Sequence, residues 1–155
     1  MRTSVRTTLP LLALLLLAAP FARADGYRSA PTLPKYVQEC SSCHIAYPLG
    51  ALPNASWHRL LGNLPRHFGT DASVDAATLK EITTWVDANT ETWKRVGEQP
   101  PADRITRSAW FERKHREVEP ATWKRAAIRS PSNCAACHPR AEEGDFNEHR
   151  VRIPR

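Results

Sequence analysis

Methionine is all but missing from this chain: its 155 residues include one, Met1. Once the start of the chain is removed, no thioether can bind a metal. Cysteine is also scarce, with four residues confined to two short clusters, so there is no broad disulfide framework. After the run from Leu9 to Ala19, nothing is long and apolar enough to span a bilayer. No segment alternates as a strand does, and no basic strip is interleaved with aromatic residues, which argues against nucleic-acid binding. No output domain accompanies the chain, which weakens a sensory role.

What the chain does contain is organised around Cys40-Ser41-Ser42-Cys43-His44 and Cys134-Ala135-Ala136-Cys137-His138, which between them use every cysteine. Two thiols three residues apart share one face of a helical turn, and the next histidine falls one turn after the first thiol. That spacing suits two thioethers to the vinyl groups of one haem, with the histidine as proximal iron ligand. Two Cys-x-x-Cys pairs would also satisfy a zinc site or two local disulfides. Neither explains a histidine directly after both pairs, so the reading is two covalently bound haem c groups.

The N-terminus carries Arg2 and Arg6, then the apolar run, then Ala22-Arg23-Ala24. This is the pattern of a secretory signal peptide over residues 1–24, which predicts a soluble, periplasmic mature chain beginning at Asp25. Loss of that segment leaves 131 residues, and the formal charge falls from +6 to +3. The remaining charge is uneven, with 7 basic and 8 acidic side chains over residues 25–100 against 12 and 8 over residues 101–155. Such a basic half could steer an acidic redox partner or hold haem propionates.

The periodicity predicts an all-α fold. A short helix should run from Lys35 into the first motif, followed by about ten irregular residues around Pro48, Gly50 and Pro53. A second helix should carry Trp57, Leu60, Leu61 and Leu64, capped by Asn54 or Ser56 and ended by Pro65. Asp71 or Ser73 should cap a third, with Leu79, Ile82 and Val86 on one face, running to about Asn89, with a further turn near Trp93. Beyond a linker at residues 98–101, Ser108 should cap a helix bearing Phe111, His115 and Val118, stopped by Pro120. A short helix then leads towards the second motif.

With methionine excluded, each iron needs a second histidine, a weaker donor or an open position. Outside the motifs stand His58, His67, His115 and His149. His67, in a loop after the first motif, is the leading candidate for the first haem, with His58 as its rival. His115, on an apolar helix face where a bare imidazole would lose solvation, is the candidate for the second. His149 reads as exposed, and a crossed arrangement with His115 on the first haem stays open.

The chain resembles the bacterial dihaem cytochrome c family, small exported electron carriers, over nearly all of its mature length. The resemblance rests on Cys40 to His44 with Ala46-Tyr47-Pro48, Ser56-Trp57, His67-Phe68-Gly69 with Asp71-Ala72-Ser73, and Arg104-Ile105-Thr106. It continues through Trp110-Phe111, Lys114-His115-Arg116, Ser132-Asn133, Gly144-Asp145-Phe146 and Arg152-Ile153-Pro154. It implies a first domain, residues 25–99, similar to a class I cytochrome c, and a less regular second haem domain, residues 100–155. It also implies bis-histidine ligation, with His67 and His115 at the family positions and His58 outside the pattern. The partners it implies are membrane b-type cytochromes and small monohaem oxygen-binding cytochromes.

On this reading the chain carries single electrons through two low-potential haems and is not an enzyme. Trp57, Phe68, Trp85, Trp110 and Phe111 read as haem and core packing. The competing function is a peroxidase-like enzyme or gas-binding cytochrome with one open iron. The chain is short for a dihaem peroxidase and has enough histidines to close both irons.

Overall fold

The computed structural model describes residues 32–90, 96 and 98–155. The predicted signal peptide and the turn near Trp93 lie outside them. Among the described residues there are five α-helices, several 3-10 turns and no strand, only two isolated bridges, so the fold is all-α.

The first half is built on helix α3, Ala76–Asn89. Its cap is Asp75, whose carboxylate accepts the amides of Ala77 and Thr78 at 3.0 Å each. The Asp71 carboxylate instead accepts the Ser73 amide in a local turn. The helix buries Thr78, Ile82 and Val86, one residue per turn. Against this stripe lies α2, Asn54–Leu61, with Trp57 and Leu61 buried. The Trp57 indole donates to the Leu49 carbonyl at 2.8 Å, which satisfies its polar atom inside the core. Tyr36 from α1, Pro34–Cys40, completes the cluster with Leu49 and Leu52. At about 1.5–3 kcal/mol for each large apolar side chain taken out of water, these residues form a core of their own.

Several boundaries differ from expectation, each for a local reason. Helix α1 stops at Cys40, so the rest of the first motif is a turn. Neither Asn54 nor Ser56 caps α2: Asn54 is already its first residue, and Ser56 is buried against the Arg59 guanidinium. Helix α2 ends at Leu61 with Gly62 as C-cap, before Pro65 is reached, and Pro65 sits inside a 3-10 turn, Leu64–Arg66.

The second half has little regular structure: α4, Ala109–Lys114, α5, Pro120–Trp123, and 3-10 turns. Ser108 caps α4, its hydroxyl accepting the Phe111 amide. The helix ends one residue before His115, well short of Pro120 and Val118, and His115 is its C-cap. Over residues 101–155 the buried apolar side chains are Phe111, Ile128 and Ala141. Several contacts join the halves, among them the Arg104 guanidinium over the Phe68 ring at 4.2 Å and Ile105 against the first-half core. Arg59 grips Asp103 with two bonds of 2.9 and 2.8 Å, and the Tyr47 hydroxyl donates to the Ser132 carbonyl at 2.8 Å.

Candidate haem sites

The first motif hangs from the end of α1, with Cys40, Cys43 and His44 in the turn that follows. The His44 ring stacks on Tyr47, with centroids 4.6 Å apart and planes at 19°. Its Nδ1 lies 2.6 Å from the Ile45 carbonyl, so it carries the proton and Nε2 is left for a metal. Facing it is His67, with centroids 6.2 Å apart. A tight loop presents His67: Phe68 and Gly69 both have positive φ, and the Thr70 amide returns to the His67 carbonyl. Gly69 at φ 96° takes a conformation that side chains disfavour.

The second motif forms one 3-10 turn, Cys134–Ala136, and the His138 amide reaches back to the Cys134 carbonyl at 2.8 Å. Its imidazole faces His115, again with centroids 6.2 Å apart. His115 stacks on Phe111 at 3.9 Å, and its Nδ1 lies 2.9 Å from the Phe111 carbonyl. His138 meets only the edge of Phe146.

The other two candidates lie elsewhere. His58 Nε2 is 2.6 Å from the Asp87 carboxylate of α3, on an exposed surface. His149 sits in an exposed turn. The i, i+4 spacing that sets Phe111 and His115 on one face is realised as their ring contact. Nothing local marks Phe146 as the neighbour of His138.

The chemistry of the donors fits haem. Burial, with Glu39 adding to it, pushes the Cys40 thiol up to about 11, and burial does the same to Cys134, also about 11. These are neutral thiols rather than the activated thiolates of a redox disulfide. Among the described residues, no three His, Cys, Asp or Glu side chains converge to hold a bare metal ion. Burial lowers the affinity of His67, His115 and His138 for a proton, which favours the neutral imidazole that binds iron. The Nδ1 atoms of His67 and His138 are buried without a partner, unlike those of a satisfied core histidine. Two metal–imidazole bonds of about 2 Å, plus the distance from each nitrogen to its ring centre, span about 6 Å. Each gap therefore has the width for one iron between two rings.

Paired thiols and facing imidazoles, twice over in an all-α chain, define a c-type cytochrome with two haem sites. Residues 36–146 match the dihaem cytochrome c family model, and this chain belongs to that family. It is similar to the dihaem cytochrome c of Rhodobacter sphaeroides, at 44% identity over 74% of this chain and 97% of that one, with a TM-score of 0.66. A second structure, of the protein purified from that organism, is also 44% identical, over 76% and 99% of the two chains, with a TM-score of 0.64. The dihaem cytochrome of Shewanella baltica is 35% identical over 81% and 95%, with a TM-score of 0.69. No curated protein matches the chain. Family membership brings two covalently attached c-type haems and the role of a haem-based electron carrier.

Proposed function

We propose that this chain is a periplasmic carrier of single electrons in which both irons are closed by two histidines. Cys40 and Cys43 would hold the first haem, and His44 and His67 would bind its iron. Cys134 and Cys137 would hold the second, with His138 and His115. The observation that carries this reading is the pair of equal 6.2 Å gaps between facing imidazoles. When bound, each haem supplies a one-electron iron couple, and histidine in place of methionine keeps both potentials low.

The chain's own residues orient and enclose. Tyr47 and Phe111 hold ring planes, the carbonyls of Ile45 and Phe111 set which nitrogen is free, and the buried surroundings keep the imidazoles neutral. Export is supported by the pattern of residues 1–24, and no helix among the described residues is long and apolar enough to cross a membrane. The partners fitting such a carrier are redox proteins, with a membrane b-type cytochrome as donor and a small monohaem oxygen-binding cytochrome as acceptor. Adding carbon monoxide to the reduced protein tests the closed sites. The visible spectrum should not change, and a shift at either haem would reassign that site to gas binding or catalysis.

A further inference from the structure

Residues 120–141 contain no aspartate or glutamate, and neither do residues 149–155. The fold lays these two stretches together at the second haem motif. The Arg125 guanidinium donates to the Pro154 carbonyl at 2.7 Å, and the Arg152 amide donates to the Cys137 carbonyl at 2.9 Å. Lys124, Arg125, Arg129 and Arg152 are all exposed, and among the described residues none has a carboxylate partner. Several cations elsewhere are paired: Arg59 with Asp103, Lys114 with Glu148, and Arg140 and Arg150 with Asp145. Between these charges run two exposed apolar side chains, Val151 at 36% and Ile153 at 47%.

Unpaired cations near a haem could serve its propionates, but the position argues otherwise. The cysteine thiols bond to the vinyl side of the porphyrin, and the propionates leave from the opposite edge. Charges gathered at Cys137 therefore face solvent at the attachment edge. An apolar centre with a charged rim is how protein interfaces are built, and clustered charge of one sign steers encounter. We propose that the Cys137 face docks a redox protein whose cofactor edge is ringed by carboxylates. This rests on the electron-carrier reading and adds to it the face used and the charge of the partner.

Two probes test it on the oxidised and reduced holoprotein. Hexacyanochromate(III), a redox-inert paramagnetic trianion, should broaden the amide resonances of residues 124–129 and 150–155 in the isotope-labelled protein, and added salt should relieve the broadening. In stopped flow, hexacyanoferrate(III) should oxidise the reduced Lys124→Glu, Arg152→Glu double variant about tenfold more slowly than wild type at low ionic strength, with the rates converging at high salt. A Lys35→Glu, Lys80→Glu variant of the first half carries the same charge change and should stay close to wild type. Broadening centred on the first half, or equal slowing in both double variants, would overturn the proposal. So would a shifted haem potential in the Lys124, Arg152 variant without altered salt dependence, which would assign the cations to propionates. Carbon monoxide binding would instead sink the closed-site carrier while leaving the broadening map intact, so the two failures are separable.

Discussion

The two haem sites use the same parts in opposite roles. At the first, the motif histidine His44 is the held ring, stacked on Tyr47 and bonded to a backbone carbonyl, while the distant His67 meets Phe68 edge-on and has a buried Nδ1 without a partner. At the second, the distant His115 is stacked and bonded, while the motif residue His138 is met edge-on and lacks a partner. The surroundings differ too. The first site adjoins a seven-residue apolar cluster, whereas residues 101–155 bury only three apolar side chains. The first half can therefore stand on its own core, and the second depends on its haem to supply one.

The largest effect should come from removing that dependence. In a Cys134→Ser, Cys137→Ser variant that does not retain its second haem, slow amide exchange should vanish across residues 105–155 while α3 stays protected. A Cys40→Ser, Cys43→Ser variant should keep α3 protected as well, because Ile82 and Val86 pack against Tyr36, Trp57 and Leu61 rather than relying on haem alone. Equal loss of protection in the two variants would break the comparison.

Ligand replacement comes next. His115→Ala and His67→Ala should each turn one haem high-spin and leave the other low-spin, and His58→Ala should alter neither spectrum. The midpoint of unfolding should fall further for His115→Ala, since that ring alone of the two gives up a full stack and a backbone bond. The ring planes sharpen the contrast: they stand at 31° in the first pair and 75° in the second. Near-perpendicular imidazoles leave the two iron orbitals they overlap almost equal in energy, so the oxidised second haem should give the more axial low-spin paramagnetic resonance signal. That signal should be the one lost in His115→Ala.

The parts of this arrangement legible in the sequence are those with a short-range signal. The attachment motifs, the all-α class and α3 with its stripe at Ile82 and Val86 follow from spacing alone. Boundaries were harder, because Asp71, Ser73 and Asp75 are all competent caps, and only the packing of Thr78, Ile82 and Val86 selects Asp75. Helix α4 stops at Lys114, and its C-cap His115 sets both its amide and its Nδ1 on the Phe111 carbonyl, an end that no local pattern of the sequence announces. Tyr47 could be quoted as part of a motif, but its partner Ser132 lies 85 positions away, and no local pattern reports such a contact.

That contact sets the third prediction. Tyr47→Phe keeps the ring on His44 and removes the hydroxyl that ties it to the strand of chain before Cys134. The buried setting of the phenol, which pushes its pKa up to about 12, marks it as a neutral donor at any physiological pH. The loss should cost about 1 kcal/mol in denaturant unfolding, with both haems still low-spin. Tyr47→Leu should cost more and should perturb the first haem's resonance signal alone, because it also frees the His44 plane.

The smallest effect concerns another polar tie between the halves, and it depends on pH. The hydrogen bonds from Arg59 hold the Asp103 carboxyl below the usual aspartate range, against the opposing pull of burial. A carboxyl with a depressed folded pKa contributes stability that is fully present above its unfolded value of about 3.9 and is lost as pH falls through the folded value. Asp103→Asn should therefore be slightly less stable than wild type at neutral pH, and the gap should close as the solution is acidified below about pH 4. Arg59 is partly solvent-exposed, so salt should narrow the gap at neutral pH as well. A gap independent of both pH and salt would mean that Asp103 does not act through its charge, leaving the Tyr47 hydroxyl as the stronger polar tie between the two haem sites.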